Sequence, residues 1–333
     1  MNLEPRALDK RLPKLSVIIP LKRDNIYIRE TLDHLRRLDY PDFEVIVLPD
    51  EPHYWGDDIR VIPTGPIGPA AKRDVALLEA QGEILAFLDD DTYPESDWLR
   101  KAVRYFEDEA VAAVGGPAVT PPDDGPMQQA SGHVYSSPLG GGTYAYRYVP
   151  RGRREVDDYP TCNLLVRRWV LEKLGGFDTR FWPGEDTKLC LEITRDLGMK
   201  ILYAPEVLVY HHRRPLFRPH LRQVRSYALH RGYFAKRFPE TSLRLSYFLP
   251  TLLVAGVTGG GVIALVFPPL RPFYLAGLFV YLIAVISSAT VSSRHPLLTP
   301  LVAGGIIATH LVYGIWFVAG LLASKLSEEG GEK

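Results

Sequence analysis

Disulfide chemistry is almost absent from this chain. Its 333 residues include two cysteines, Cys162 and Cys190. The fold is expected not to depend on disulfides, which suits a reducing compartment. Net charge is absent as well. Lys+Arg and Asp+Glu number 39 each, so no global field points to nucleic acid as a partner. Met1 to Lys14 has no apolar core, so no signal peptide is expected. The most telling absence is local. From Leu245 to Ala323 the only formal charges are Arg271 and Arg294. That stretch holds three apolar runs, at 245–267, 270–291 and 297–323. Each is long enough to cross a hydrocarbon layer of about 30 Å. Arg213, Arg214, Arg218, Arg222, Arg225, Arg231, Lys236, Arg237 and Arg244 precede the first run. Positive charge beside a span marks its cytosolic side, so three crossings predict Lys333 on the opposite face. The basic segment interleaves Leu216, Phe217, Leu221, Tyr227, Leu229, Tyr233 and Phe234. That pattern predicts one or two amphipathic helices at the membrane surface.

Residues 15–118 alternate short apolar strands with helical periodicity. Strands are expected at 15–20, 43–50, 60–63, 82–89 and 110–116, and helices at 25–38, 69–81 and 98–107. The spacing predicts an α/β fold with a parallel, doubly wound sheet. Residues 119–160, rich in Gly, Pro, Ser and Tyr, read either as a loop over the site or as a plain linker. Beyond them a helix at 169–174, a helix at 187–197 and a strand at 200–210 are expected.

The sharpest chemical signal is FLDDDTYPESDWL at 87–99, where an apolar strand ends in Asp89, Asp90 and Asp91. Three adjacent carboxylates repel one another, and a divalent cation relieves that repulsion. Mg²⁺ and Mn²⁺ accept oxygen ligands and keep positions for phosphate oxygens. The carboxyl end of a strand is where open α/β sheets bind ligands. A solvated acidic turn capping the helix that follows is the alternative.

The order of motifs resembles the family 2 glycosyltransferases of GT-A fold, in their membrane-anchored prokaryotic form. The resemblance rests on SVIIP at 16–20, PDFEVIVLPD at 41–50, GPAAKRDVAL at 68–77, FLDDDTYPESDWL at 87–99 and GGFDTRFWPGEDTKLCLEI at 175–193. It departs from the family at Pro49-Asp50-Glu51, where paired acids are usual. Gln223-Val-Arg225-Ser-Tyr227 does not match the processive polymerases' signature, which points to a non-processive enzyme.

The resemblance implies a sheet of GT-A type flanked by helices, binding a nucleotide-sugar, followed by about three transmembrane helices. It implies donor contacts at Pro20, Asp50, Lys72, Arg73, Asp89 and Asp90. It implies Mg²⁺ or Mn²⁺ at Asp91 and Asp89, with His212 as a third ligand. Adjacent histidines on extended chain point opposite ways, so one of His211 and His212 serves at most. Asp186 is the implied general base and Glu185 its orienting partner, and a single base implies inversion at the anomeric carbon. Capping of the helix at Thr187 is the alternative for both carboxylates. Trp182, Arg213 and Arg214 are implied acceptor contacts. Trp182 is alternatively a core aromatic, and Lys72 and Arg73 alternatively face solvent. His310, at bilayer depth, is expected to pair with Tyr313 or a carbonyl of another helix.

The chain therefore reads as a cytosolic catalytic unit at 1–210, a basic interfacial segment at 211–242, a membrane unit at 243–324 and a polar tail at 325–333. The expected activity is transfer to a membrane-associated acceptor, either a polyprenyl phosphate or a lipid-linked glycan. Membrane lipid is a further expected partner, the cytoplasmic membrane the expected location, and a homo-oligomer is possible. A non-catalytic nucleotide-sugar-binding subunit of a glycan-assembly complex is the competing reading. A nucleotidyltransferase ranks behind both, because SVIIPLKRDN carries no Gly-rich phosphate loop.

Overall fold

The computed structural model describes residues 11–326. The first ten positions of the 1–210 unit and most of the polar tail, 327–333, lie outside the described residues. The chain begins with β1 (Leu15–Pro20), α1 (Ile26–Leu35), β2 (Phe43–Leu48), β3 (Ile59–Val61) and α2 (Pro69–Glu79). There follow β4 (Ile84–Leu88), β5 (Thr92–Pro94), α3 (Trp98–Val103), β6 (Val111–Gly115) and β7 (Ala118–Val119). Then come α4 (Pro126–Ser136), β8 (Arg154–Val156), β9 (Asn163–Arg167), α5 (Arg168–Leu174) and α6 (Glu185–Leu191). The order closes with β10 (Lys200–Tyr203), β11 (Val209–His211), α7 (Arg218–Arg237) and α8 (Pro239–Ser242). Three long apolar helices end it: α9 (Leu245–Val266), α10 (Arg271–Ser293) and α11 (Thr299–Leu322).

The main sheet has the order β3-β2-β1-β4-β9-β6-β10-β8. Its strands alternate sides as a pleated sheet must. Val17, Ile19, Val45 and Val47 pack on one face against Ile28, Leu32 and Leu35 of α1 and Trp98 of α3. Ile18, Ile46 and Phe87 pack on the other against Ala76 and Leu77 of α2 and Leu171 of α5. Helices on both faces make the central strands apolar throughout. The sheet is mixed rather than wholly parallel. β9 runs antiparallel between β4 and β6, and β8 runs antiparallel beside β10. Residues 164–166 are buried on both sides, and such a run carries no sign of its direction.

Two segments differ from expectation. Residues 119–160 are not structureless. They contain α4, whose Ala130 and Val134 pack against Leu216, Val285 and Ile306. Gly132 lets this helix approach Thr120 closely, since a Cβ there would lie 2.0 Å from its Oγ1. The stretch expected as one strand at 200–210 is two. β10 stays in the main sheet, while β11 leaves for a small sheet ordered β5-β11-β7.

Candidate active site

The small sheet assembles the acidic end of β4. His211 pairs across the antiparallel β5–β11 ladder with Thr92, the residue after Asp91. That register brings Asp89, Asp91 and His211 together, with one ligand atom from each lying within 4.8 Å of the others. His211 Nε2 is 3.1 Å from Asp91 Oδ1, and Arg213 sits 3.1 Å from His211 Nδ1. His212, expected as the ligand, points away. Its ring lies 2.6 Å from Asp124 Oδ1 and 2.9 Å from Glu30 Oε2. The alternation of side chains along β11 is the reason, and the ladder register decides which histidine faces inward. Asp90 also turns from the cluster, accepting from Asn25 Nδ2 at 2.7 Å. Asn25 caps α1, so Asp90 ties that helix to the site rather than lining it.

Electrostatics match the geometry. Burial pushes the Asp89 carboxyl up, Arg73 opposes this, and the neighbouring Asp91 adds to it. Burial also pushes Asp91 up, but His211, Arg214 and Arg213 outweigh it and hold it below the usual range. Burial, with Asp91 beside it, pushes Asp90 up to about 6 against the Asn25 hydrogen bond. Two crowded carboxylates and an imidazole form an oxygen-rich donor set that fits Mn²⁺ or Mg²⁺.

α2 supplies the link to the second half of the site. Lys72 and Arg73 are 3% and 2% exposed, so neither faces solvent. Arg73 bridges Asp89 at 3.2 Å and Glu185 at 2.8 Å with its guanidinium 5.5 Å from the Phe177 ring centre. Lys72 Nζ donates to Asp50 Oδ1 at 2.5 Å and to the Leu21 and Leu48 carbonyls at 2.7 and 3.1 Å. It locks the ends of β1, including Pro20, and of β2 together. With its three N–H donors so engaged, Lys72 has none left for direct contact with a ligand. The next residue, Asp74, accepts from the Phe177 and Asp178 amides at 2.6 and 3.2 Å. This fixes the Gly-Gly-Phe-Asp turn that leads to Glu185 and Asp186.

These two carboxylates open α6, where the amide dipoles favour them. Asp186 Oδ1 accepts from the Thr187 amide at 2.8 Å. Gly184 precedes them at φ 121, and a Cβ there would lie 2.2 Å from the Phe234 ring of α7. Only glycine meets both demands. Burial, then Glu185 and Asp158, push the Asp186 carboxyl up to about 7, against Arg231 and Arg147. Sequence reasoning missed Asp158. It is buried, bonded to Thr187 Oγ1 at 3.0 Å, and paired with Arg231 at 3.0 Å and Arg147 at 3.3 Å. An acid in a Tyr-rich loop carried no signal, because its three partners, Arg147, Thr187 and Arg231, come from separate parts of the chain.

Of the expected acceptor contacts, Trp182 is 60% exposed beside the site and is no core aromatic. Arg214 is exposed. Arg213 is buried, donating to the Ala118 carbonyl with its guanidinium 4.9 Å from the Tyr148 ring centre. It therefore supports His211 rather than meeting an acceptor.

Comparison with known proteins agrees with this architecture. The model of glycosyl transferase family 2 matches residues 16–175. The pre-mycofactocin glycosyltransferase of Mycobacterium tuberculosis is 29% identical over 54% of this chain, and the match spans 37% of that protein's length. The glycosyltransferase AglE of Haloferax volcanii is 27% identical over 61% of this chain and 68% of its own. The mannosyltransferase PcManGT of Pyrobaculum calidifontis, solved with GDP-Man and Mn²⁺, superposes with a TM-score of 0.54 at 20% identity, covering 95% of this chain and 89% of that one. At that identity the likeness is one of fold, and it extends through the apolar helices.

Proposed function

We propose that the chain, whose residues 16–175 match the model of glycosyl transferase family 2, is a membrane-associated, inverting, non-processive glycosyltransferase of that family. It takes a nucleotide-sugar as donor and a lipid-linked glycan or polyprenyl phosphate as acceptor. One observation carries the reading: Arg73 ties the Asp89–Asp91–His211 cluster to the Glu185–Asp186 turn. An electrostatic site for a leaving diphosphate and a base for an attacking hydroxyl are thus built on one buried cation. A nucleotide-sugar-binding subunit needs the first and not the second.

Asp89, Asp91 and His211 would hold a divalent cation, and the imidazole favours Mn²⁺ over Mg²⁺. When bound, that cation supplies Lewis-acid stabilisation of the departing diphosphate. Asp50, held by Lys72, accepts from the donor's base or ribose. Asp186 takes the proton of the acceptor hydroxyl as it attacks the anomeric carbon, and one base with direct displacement inverts that centre. Arg73 holds Glu185 in place beside it. Trp182 offers a free face to an acceptor sugar, and Arg214 offers a cation to its phosphate. Residues 1–210 are the cytosolic catalytic unit, 211–242 the basic segment, 243–324 the membrane unit and 325–333 the tail. Anchoring raises the effective concentration of a membrane-bound acceptor.

The test is donor turnover by the purified chain in detergent. UDP-, GDP- and dTDP-sugars are offered with Mn²⁺ or Mg²⁺ and a membrane lipid extract. Metal-dependent nucleotide release from one donor, lost in Asp186→Asn with donor binding retained, supports the reading. Donor binding with no release in any lipid mixture supports the subunit instead.

A further inference from the structure

We propose that the element of this chain that enters the bilayer is the α9–α10 hairpin, and that α11 does not cross it but lies on the catalytic body beside α7. Both ends of the apolar region then sit on the face that carries the active site. The proposal rests on the reading that the apolar helices meet a membrane, and it replaces three crossings by a hairpin.

Length and composition do not separate the three helices. α9 and α10 have a mean hydropathy of 2.0 and α11 one of 1.8. Packing separates them. The share of the apolar window buried within the protein is 6% for α9, 17% for the second helix and 39% for α11. Besides α9 and α10, α11 is covered from its first turns to beyond its end by α4, α7 and the catalytic body. Near its start, a Cβ on Gly305 would lie 2.6 Å from Val134 of α4 and 2.9 Å from Leu216. At its middle, Thr309 Oγ1 is 2.9 Å from His220 Nε2, and His310 Nε2 is 2.9 Å from the Leu139 carbonyl. Near its end, a Cβ on Gly320 would lie 2.0 Å from the Leu229 carbonyl of α7. Just beyond, Lys236 donates to the Ala323 carbonyl at 2.5 Å. Leu326 is buried with Phe181, Tyr233 and Phe234, and Phe181 lies four residues before Glu185. From Gly305 to Leu322, the last residue of α11, is about 26 Å of helical rise, close to the thickness of the hydrocarbon layer. A helix held to the same body at both ends of that length cannot have its ends on opposite sides of a bilayer.

α7 makes the point electrostatically. The contacts pair residues 216, 220, 229 and 236 with 305, 309, 320 and 323 in the same order, so α7 runs parallel to α11 for its full length. Arg218, Arg222, Arg225, Lys236 and Arg237 are exposed on it, and Arg225 stacks on Trp316 of α11 at 3.7 Å. A crossing α11 would carry these cations into hydrocarbon, where each is costly. Lying in the plane of the interface, α7 meets lipid phosphates with the same charges.

α9 and α10 behave otherwise. α9 meets α11 through residues near its start, with Phe248 against Phe317 and Thr251 donating to the Gly314 carbonyl. α10 meets it from its middle to its end, with Tyr281 bonded to His310 and Ser293 to Thr299. Their far halves leave α11 behind and touch each other, Tyr274 donating to the Val257 carbonyl and packing on Gly260. Leu265, Val266, Phe273, Phe279 and Val280 are exposed there. α9 leaves α11 after Val254, and the rest of the helix rises about 18 Å, which carries the tip at Pro268–Leu270 well into a hydrocarbon layer of about 30 Å.

Single cysteines read the sidedness, because Cys162 and Cys190 are buried. Lys325→Cys, Pro269→Cys and, as a catalytic-side marker, Lys173→Cys are made in the full chain; all three positions are exposed. Membrane vesicles of both orientations are treated with an impermeant maleimide, with labelling in detergent as the total. The expected result is Lys325→Cys labelled from the same side as Lys173→Cys, and Pro269→Cys not labelled from that side. Lys325→Cys labelled only from the opposite side overturns the proposal, as does Pro269→Cys labelled from the catalytic side. Ser324→Cys, also exposed, repeats the first reading if Lys325→Cys misfolds. Alkaline carbonate washing is done in parallel. Extraction of the intact chain overturns the membrane reading itself, a failure distinct from wrong sidedness and independent of glycosyl transfer.

Discussion

The pH dependence of transfer should follow Asp186. A general base acts only when ionised. Burial, with Glu185 and Asp158 beside it, puts this carboxyl at about 7, against about 3.9 for an ordinary aspartate. The ionised fraction is then about 0.1 at pH 6 and about 0.9 at pH 8, so kcat at saturating donor rises about tenfold across that interval. Asp158→Asn tests the cause. It removes a negative neighbour, leaves Arg147 and Arg231 less neutralised, and so moves the acid limb to lower pH. Initial rates of nucleotide release from pH 5.5 to 8.5 at saturating Mn²⁺ read the limb. Donor binding measured across the same range separates it from titration at the cation site. A profile that is flat from pH 6 to 8 while donor binding is constant refutes the assignment. So does a limb that moves upward in Asp158→Asn.

Asp186→Asn should lower kcat by about 10²–10⁴ and also stabilise the protein. The folded pKa lies above the unfolded value, so the native state loses stability as pH rises from about 4 to about 7. The gain in thermal midpoint should therefore be larger at pH 8 than at pH 4.5, by differential scanning fluorimetry in detergent. His211→Ala should weaken Mn²⁺ binding at least about tenfold, while His212→Ala leaves it unchanged; equal losses in titration calorimetry would contradict the ladder register. Lys72→Met strands the Asp50 carboxylate and two carbonyls, costing about 3–5 kcal/mol. That corresponds to a drop of about 10 °C in midpoint, and an unchanged midpoint would mean Lys72 is free.

The α/β class, the acidic cluster at the end of β4 and the apolar tail were legible in the sequence because each depends on near neighbours. Strand periodicity, three consecutive acids and uncharged runs are local patterns, and local patterns survive without coordinates. What needed tertiary structure was every choice between two equal local options. His211 and His212 are alike in sequence, and the pairing of β11 with β5 chose between them. β9 is apolar on both faces, and only its slot between β4 and β6 sets its direction. Lys72 and Arg73 look like exposed helix residues until the ends of β1 and β2 and Glu185 close over them. Asp158 acquires its partners Arg147, Thr187 and Arg231 from three separate parts of the chain. α11 is as long and almost as apolar as α9, and hydropathy treats them alike. Whether an apolar face is covered by lipid or by protein depends on what packs beside it. Here the basic α7 lies along α11, and that contact belongs to the folded chain alone.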